Sequence, residues 1–167
     1  VKSYDKSITA LINAHESAIA CLALNSDGTL LASASDKGTL IRIFKADDGT
    51  FLQEVRRGAE KAEIYSIVFD AASKFIACSS DRGTIHIFSL ATAQKKVKEQ
   101  IKEEVPPEEE KVEAEETPKN QRSIWDKMTK IIPLPKYFKS EWSFAQFRIP
   151  DLRSICAFGP NNAIIGI

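Results

Sequence analysis

A chain of 167 residues with 43% apolar content and 23 basic against 23 acidic residues can bury the core of one domain. Its zero formal charge excludes a protein that coats nucleic acid through a broadly basic surface, so charge-driven binding has to come from local clusters. Cys21, Cys78 and Cys156 sit scattered in apolar runs without CxxC spacing, which suits a reducing compartment rather than a disulfide framework, and no apolar run reaches transmembrane length.

Taken in order, "KSITALI" reads as the last strand of a unit that precedes the rest. From Ile19 the chain repeats itself. "IACLALNSDGTLLASASDKGTLIRIFKADDGTFLQEV" is answered by "IYSIVFDAASKFIACSSDRGTIHIFSL", with Ile19 and Ile64, Asp36 and Asp81, and Gly38 and Gly83 each 45 residues apart. "CLALN" and "SIVFD" are short apolar strands, and "LLASAS" and "FIACSS" mix apolar with small residues as an inner strand does. "LIRIF" and "IHIF" alternate with period two. "NSDGT", "SDKGT" and "ADDGT" supply turn chemistry between them. Four short antiparallel strands every 45 residues is the spacing of a β-propeller blade, so the predicted fold is all-β, part of a WD40-like propeller. The repeated Ser-Asp-basic-Gly-Thr block argues against an ordinary sandwich.

About two and a half blades are predicted: the end of one unit over residues 1–14, a blade over 15–58, a second over 59–90 and 141–150, and the truncated start of a third over 151–167. Such a set cannot close a ring and leaves an edge at each end, so the chain is expected to be part of something larger.

Residues 91–140 interrupt the second blade before its predicted fourth strand, "EWSFAQFRIP". The first part of this insertion is charged, lacks aromatics and carries Pro106, Pro107 and Pro118, a composition that predicts disorder over most of it. A short helix at Gln94–Val105 is also compatible, because Val97, Ile101 and Val105 fall at i, i+4 and i+8. In the second part, residues 123–139, a helix capped by Ser123 would align Ile124, Met128, Ile131 and Ile132, with Trp125 at the edge and Asp126, Lys127, Thr129 and Lys130 opposite. Pro133 ends it, and Tyr137 and Phe138 continue the apolar-basic mixture. An apolar face with Trp, backed by lysines, suits a membrane interface, and it equally suits a helix folded back over the propeller.

Arg56 and Arg57 end the predicted fourth strand of the first blade. Successive side chains of extended backbone point in opposite directions, so Arg56 should serve its own blade and Arg57 the following one. Ser33, Ser35, Thr39 and Arg42 accompany Arg56, and Ser79, Ser80, Thr84 and His86 accompany Arg57. Two guanidiniums with hydroxyl donors suit two phosphate groups.

"VRRGAEKAEIYSIVF" closely resembles the Phe/Leu-Arg-Arg-Gly motif of the PROPPIN family, the propellers of the WIPI and autophagy-related 18 proteins. "HESAIACLALNSDGTLLASASDKGTLIRIF" and "LPKYFKSEWSFAQFRIP" resemble the same family, in its WIPI3/WIPI4-like branch. Val55 stands where Phe or Leu is usual, and the blades end in Phe44-Lys45 and Phe88-Ser89 rather than Trp-Asp, which the family commonly lacks too. The resemblance implies a seven-bladed propeller of which this chain holds blades five and six with pieces of four and seven. It also implies binding of phosphatidylinositol 3-phosphate and phosphatidylinositol 3,5-bisphosphate. By that resemblance the first site uses His15, a serine of "ASAS" (Ser33 or Ser35), Thr39, Arg42 and Arg56, and the second uses Arg57, Ser79 or Ser80, Thr84 and His86. Ile124, Trp125, Met128, Ile131, Ile132, Tyr137 and Phe138 would enter the bilayer. A cytoplasmic protein held peripherally on phagophore, endosomal or vacuolar membranes is implied, with autophagy proteins such as an autophagy-related 2-type lipid transfer protein as partners.

As residues alone, His15 also fits a loop histidine holding adjacent strands, and His86 the polar side of an edge strand. Nothing in the sequence assembles a catalytic constellation, a phosphate loop, or a metal or cofactor site. The rivals are a protein-interaction propeller without lipid binding and a nucleic-acid-binding propeller, the latter disfavoured by the neutral charge.

Overall fold

A computed structural model describes residues 10–104, 118–120, 140–149 and 153–167. Seven six-residue strands carry the two repeats: β1 (Ile19–Leu24), β2 (Leu30–Ser35), β3 (Leu40–Lys45), β4 (Phe51–Arg56), β5 (Ile64–Phe69), β6 (Phe75–Ser80) and β7 (Thr84–Ser89). Helix α1 (Ala91–Glu104) follows, then β8 (Glu141–Trp142), β9 (Ala145–Arg148), β10 (Cys156–Phe158) and β11 (Ile164–Gly166). The first sheet runs β1-β2-β3-β4-β8, the second β5-β6-β7-β9, and β10-β11 form a hairpin. These are consecutive propeller blades, the first two complete and the third begun.

The repeat is a repeat of physical chemistry. Asn25 and Asp70 each close the first turn of a blade by accepting a backbone N–H with a side-chain oxygen, from Leu30 at 2.9 Å and from Phe75 at 2.6 Å. Each turn passes through a left-handed residue, Gly28 in one copy and Ser73 in the other. Asn25 Nδ2 also donates to Ser73 Oγ at 2.8 Å, which ties the two turns together.

Between the sheets lies the main core. Ala32, Ala34, Ile41, Ile43 and Val55 of the first sheet face Ile64, Ile67, Ile76, Cys78 and Phe88 of the second. Alanines on the inner strand let the blades approach closely. A smaller cluster of Ala77, Ile85 and Cys156 joins the second sheet to the hairpin. The cysteines are free thiols; burial pushes all three above the ordinary thiol range, which leaves them protonated at neutral pH.

Three expectations change. "EWSFAQFRIP" is not one strand: Glu141–Trp142 adds in parallel to the outer edge of β4, and only Ala145–Arg148 pairs with β7. The Glu141 carboxylate explains the split, because Gln53 Nε2 (2.7 Å) and Thr92 Oγ1 (2.8 Å) donate to it and hold the segment on the first sheet. The charged stretch after the second blade begins with an ordered helix from Ala91, three residues before the compatible start. Ala93 and Val97 pack on the core beside Leu52 and Leu90, while Lys96 donates to the Leu52 carbonyl and stands 5.1 Å from the Phe51 ring centroid. Helix α1 thereby covers the edge of β4, which would otherwise expose unpaired backbone. Finally, Ala10–Ile12 of "KSITALI" form no strand, and the rest of that stretch lies outside the described residues.

Candidate functional site

Ladder register fixes what Arg56 can touch. It stands opposite Leu40, Glu54 stands opposite Arg42, and Arg42 stands opposite Ser33. With period two, Ser33, Ser35, Arg42, Glu54 and Arg56 therefore share one face of the first sheet, the face turned away from the second. On that face His15 Nε2 lies 3.0 Å from Ser33 Oγ. Arg42 donates to the Ala14 carbonyl and, at 2.9 Å, to one oxygen of Glu54. Ser140 Oγ donates to the other Glu54 oxygen at 3.0 Å and accepts from Arg56 Nη2 at 3.4 Å. Arg56 is 8% exposed. Partial burial and the positive charge of Arg42 hold His15 below the ordinary imidazole range, despite its bond to the Ser33 carbonyl and the field of Glu54.

Arg57 leaves the strand the other way. Its backbone N–H donates to the Thr39 carbonyl at 3.0 Å, its Nε to the Gly38 carbonyl at 2.6 Å, and Nη2 to the Glu60 carbonyl. Its guanidinium is buried, 7% exposed, and its charge is felt by Cys78 and His86 of the second sheet. Burial first, and the Arg57 charge second, push His86 down to about 4, so its ring is neutral at neutral pH and Nδ1 sits 3.2 Å from Ser143 Oγ.

The two serines offered for the second site part company. Cys78 pairs with His86, so Ser80, Cys78, Thr84 and His86 share the face toward the first sheet. Ser79 points the opposite way, its Oγ 2.9 Å from Ser66 Oγ in a group that includes Cys156. The structure thus places Ser80 on the Arg57 side and Ser79 against the hairpin. Residues 124–138 of the apolar segment (Ile124, Trp125, Met128, Ile131, Ile132, Tyr137 and Phe138) lie outside the described residues.

Glu54, Ser140 and Ser143 are polar neighbours that the sequence pattern does not single out. Alternation along β4 could have found Glu54, two residues before Arg56; the serines reach their partners across 57 to 86 residues of chain. A cavity of about 430 Å³ opens at the root of the insertion, lined by Ser89, Ala91, Thr92, Lys119, Asn120 and Glu141, and none of the candidate site residues borders it. Among the described residues no group of three or more His, Cys, Asp or Glu is arranged to hold a metal, and no helix is long and apolar enough to cross a membrane.

The neutral, buried His86 makes a pH prediction. The unfolded chain takes up this proton below about pH 6.5, whereas the folded chain resists until about 4, so the stability His86 confers is full above 6.5 and is lost as pH falls through that window. About 2 kcal/mol should be gone by pH 5. Thermal unfolding at pH 7 and pH 5 reads this directly: His86→Gln should flatten the decline, and an unchanged decline in that variant contradicts the assignment.

Comparison with known proteins agrees with the architecture. The sequence profile of the PROPPIN family matches residues 3–106. Autophagy-related protein 18e of Arabidopsis thaliana is 41% identical over 160 residues, 95% of this chain and 36% of that protein. Autophagy-related protein 18 of Schizosaccharomyces pombe is 37% identical over 162 residues, 93% of this chain and 42% of that protein. The chain thus spans well under half the length of these relatives. Among solved structures, Kluyveromyces lactis Hsv2 superposes with a TM-score of 0.55 at 25% identity, covering 85% of this chain and 34% of that one.

Proposed function

This chain belongs to the PROPPIN family, and from that premise we propose that it binds phosphoinositide headgroups, phosphatidylinositol 3-phosphate and phosphatidylinositol 3,5-bisphosphate, through two pockets built on Arg56 and Arg57. The Arabidopsis thaliana and Schizosaccharomyces pombe relatives are autophagy-related by name, and the proposed setting is the surface of autophagic, endosomal or vacuolar membranes, in support of autophagosome formation with other autophagy proteins as partners.

One observation carries the reading: two consecutive arginines, both buried, leave the chain on opposite sides, Arg56 onto the face of the first sheet that bears Ser33, Ser35 and Arg42, and Arg57 toward the second sheet, where its charge reaches His86. A buried guanidinium is costly unless an anion or several acceptors compensate it, and a planar fork of donors suits phosphate oxygens. In the first pocket Arg42, Ser33, Ser35 and His15 would accompany Arg56. Thr39, expected there from the sequence, is an odd number of residues from Arg42 and falls on the other side of the strand, beside Arg57, whose backbone N–H its carbonyl accepts. In the second, Ser80, Thr84 and His86 would accompany Arg57, with Ser79 too far around the strand to join them.

Neither pocket alone holds a protein on a membrane firmly. A basic group near an anionic surface contributes about 1 kcal/mol, and burying one large apolar side chain adds about 1.5–3 kcal/mol. Two tethered headgroup pockets and an inserting segment act together through effective concentration. In this reading residues 123–139 supply the insertion. Flotation with phosphatidylcholine vesicles, with and without a few per cent of phosphatidylinositol 3-phosphate, is the test. The protein should float only with the phosphorylated lipid, and removal of residues 123–139 should weaken retention about tenfold without altering that selectivity. Indifference to the phosphorylated lipid sinks the function, and undiminished retention after the removal sinks the insertion.

A further inference from the structure

The polar face of the first sheet carries a carboxylate that headgroup binding alone does not call for. Glu54 precedes Arg56 by two positions on β4, so both side chains leave the sheet on one side. Its two oxygens accept from Arg42 Nε at 2.9 Å and from Ser140 Oγ at 3.0 Å, and Ser140 in turn accepts from Arg56. Its field reaches His15 as well. At 25% side-chain exposure the carboxylate is shielded from much of the screening that weakens surface pairs.

We infer that Glu54 is the resident counterion of the Arg42–Arg56 pocket and limits the negative charge of the ligand that pocket accepts. The inference rests on the headgroup reading above. A phosphate that reaches this pocket meets an anion already bonded to Arg42 and linked to Arg56 through Ser140, and must displace or lie beside it. The resulting repulsion grows with ligand charge, so a second phosphate on the inositol ring raises it further. The Arg57 side is built differently, since the guanidinium there donates to the carbonyl oxygens of Gly38 and Glu60 and makes no ion pair with a carboxylate among the described residues. The two pockets therefore divide the work by charge: the Arg56 pocket favours the monophosphorylated headgroup, and the Arg57 pocket tolerates the bisphosphorylated one.

The test uses the intact protein with the second pocket disabled by Arg57→Gln, so that binding reports the first. Affinity is measured on phosphatidylcholine vesicles carrying either phosphatidylinositol 3-phosphate or phosphatidylinositol 3,5-bisphosphate. Adding Glu54→Gln should tighten binding to the monophosphate about threefold and to the bisphosphate about tenfold. The salt dependence of binding should also steepen, because one more uncompensated positive charge faces the ligand; a change that merely loosened the pocket would not do this. Equal gains for the two lipids, or a loss for either, overturns the inference. The parent reading fails separately: a wild-type protein that ignores both phosphorylated lipids sinks it and this inference together, whereas wild-type binding with no differential gain sinks the role of Glu54 alone.

Discussion

Replacing Arg56 and Arg57 together by threonine should abolish retention on vesicles containing phosphatidylinositol 3-phosphate, a loss of more than a hundredfold. Each guanidinium supplies charge-assisted hydrogen bonds worth roughly 1.5–3 kcal/mol to a phosphate, and threonine keeps a hydroxyl but neither the charge nor the fork. The loss compounds because the pockets are tethered. With one pocket empty the second binding event vanishes, along with the effective concentration it created, so each single substitution should already cost on the order of a hundredfold. Both arginines are also buried, and the variants need a fold control. Arg57 holds the Gly38 and Glu60 carbonyls together, so its replacement should lower the melting temperature by some degrees without removing the cooperative transition. Vesicle flotation beside thermal unfolding reads both quantities. A double variant that folds and still floats contradicts the proposed pockets.

The second large effect falls on one glycine. Gly38 sits in the turn between β2 and β3 with φ +59, and a Cβ there would lie 1.8 Å from the backbone oxygen of Ala62. That oxygen belongs to the connection entering the second blade, which the turn also grips through Ala62 N–H donating to the Lys37 carbonyl at 3.1 Å. Backbone cannot rotate out of the way as a side chain can. Gly38→Ala should therefore cost at least about 3 kcal/mol and displace the carbonyl that Arg57 Nε uses. Gly28→Ala provides the comparison, for its φ of +72 is similar but nothing lies within 4 Å of the added carbon. It should cost about 1 kcal/mol, the conformational penalty alone. Urea unfolding of the two variants separates them, and equal costs would show that the close approach at Ala62 is not what the turn depends on.

Much of the fold was legible because the repeat is local chemistry. Turn residues such as Asn25, Asp27, Asp70, Gly38 and Gly83 and the period-two strands between them depend on neighbours a few positions away, and all seven strands of the first two repeats lie where the pattern places them. The opposite directions of Arg56 and Arg57 follow from strand geometry for the same reason. What the sequence hid depends on distant partners. Strand β8 is two residues long, has no period of its own, and exists because Gln53 and Thr92 capture Glu141. Helix α1 is charged along most of its length and is ordered where Ala93 and Val97 meet the core, a contact that composition cannot show. Ser79 and Ser80 could not be told apart without the register. "TIHIF" is one residue shorter than "TLIRIF", so His86 takes the place of Arg42 and brings Ser80, not Ser79, to its face.

Calorimetric titration of the intact protein with inositol 1,3-bisphosphate, the soluble headgroup of phosphatidylinositol 3-phosphate, tests the two-pocket account most directly. It takes away the membrane, and with it any insertion and avidity, and counts sites. The wild-type protein should bind two equivalents, and Arg56→Gln and Arg57→Gln should each bind one. A single equivalent in all three proteins, or two that survive both substitutions, would contradict it.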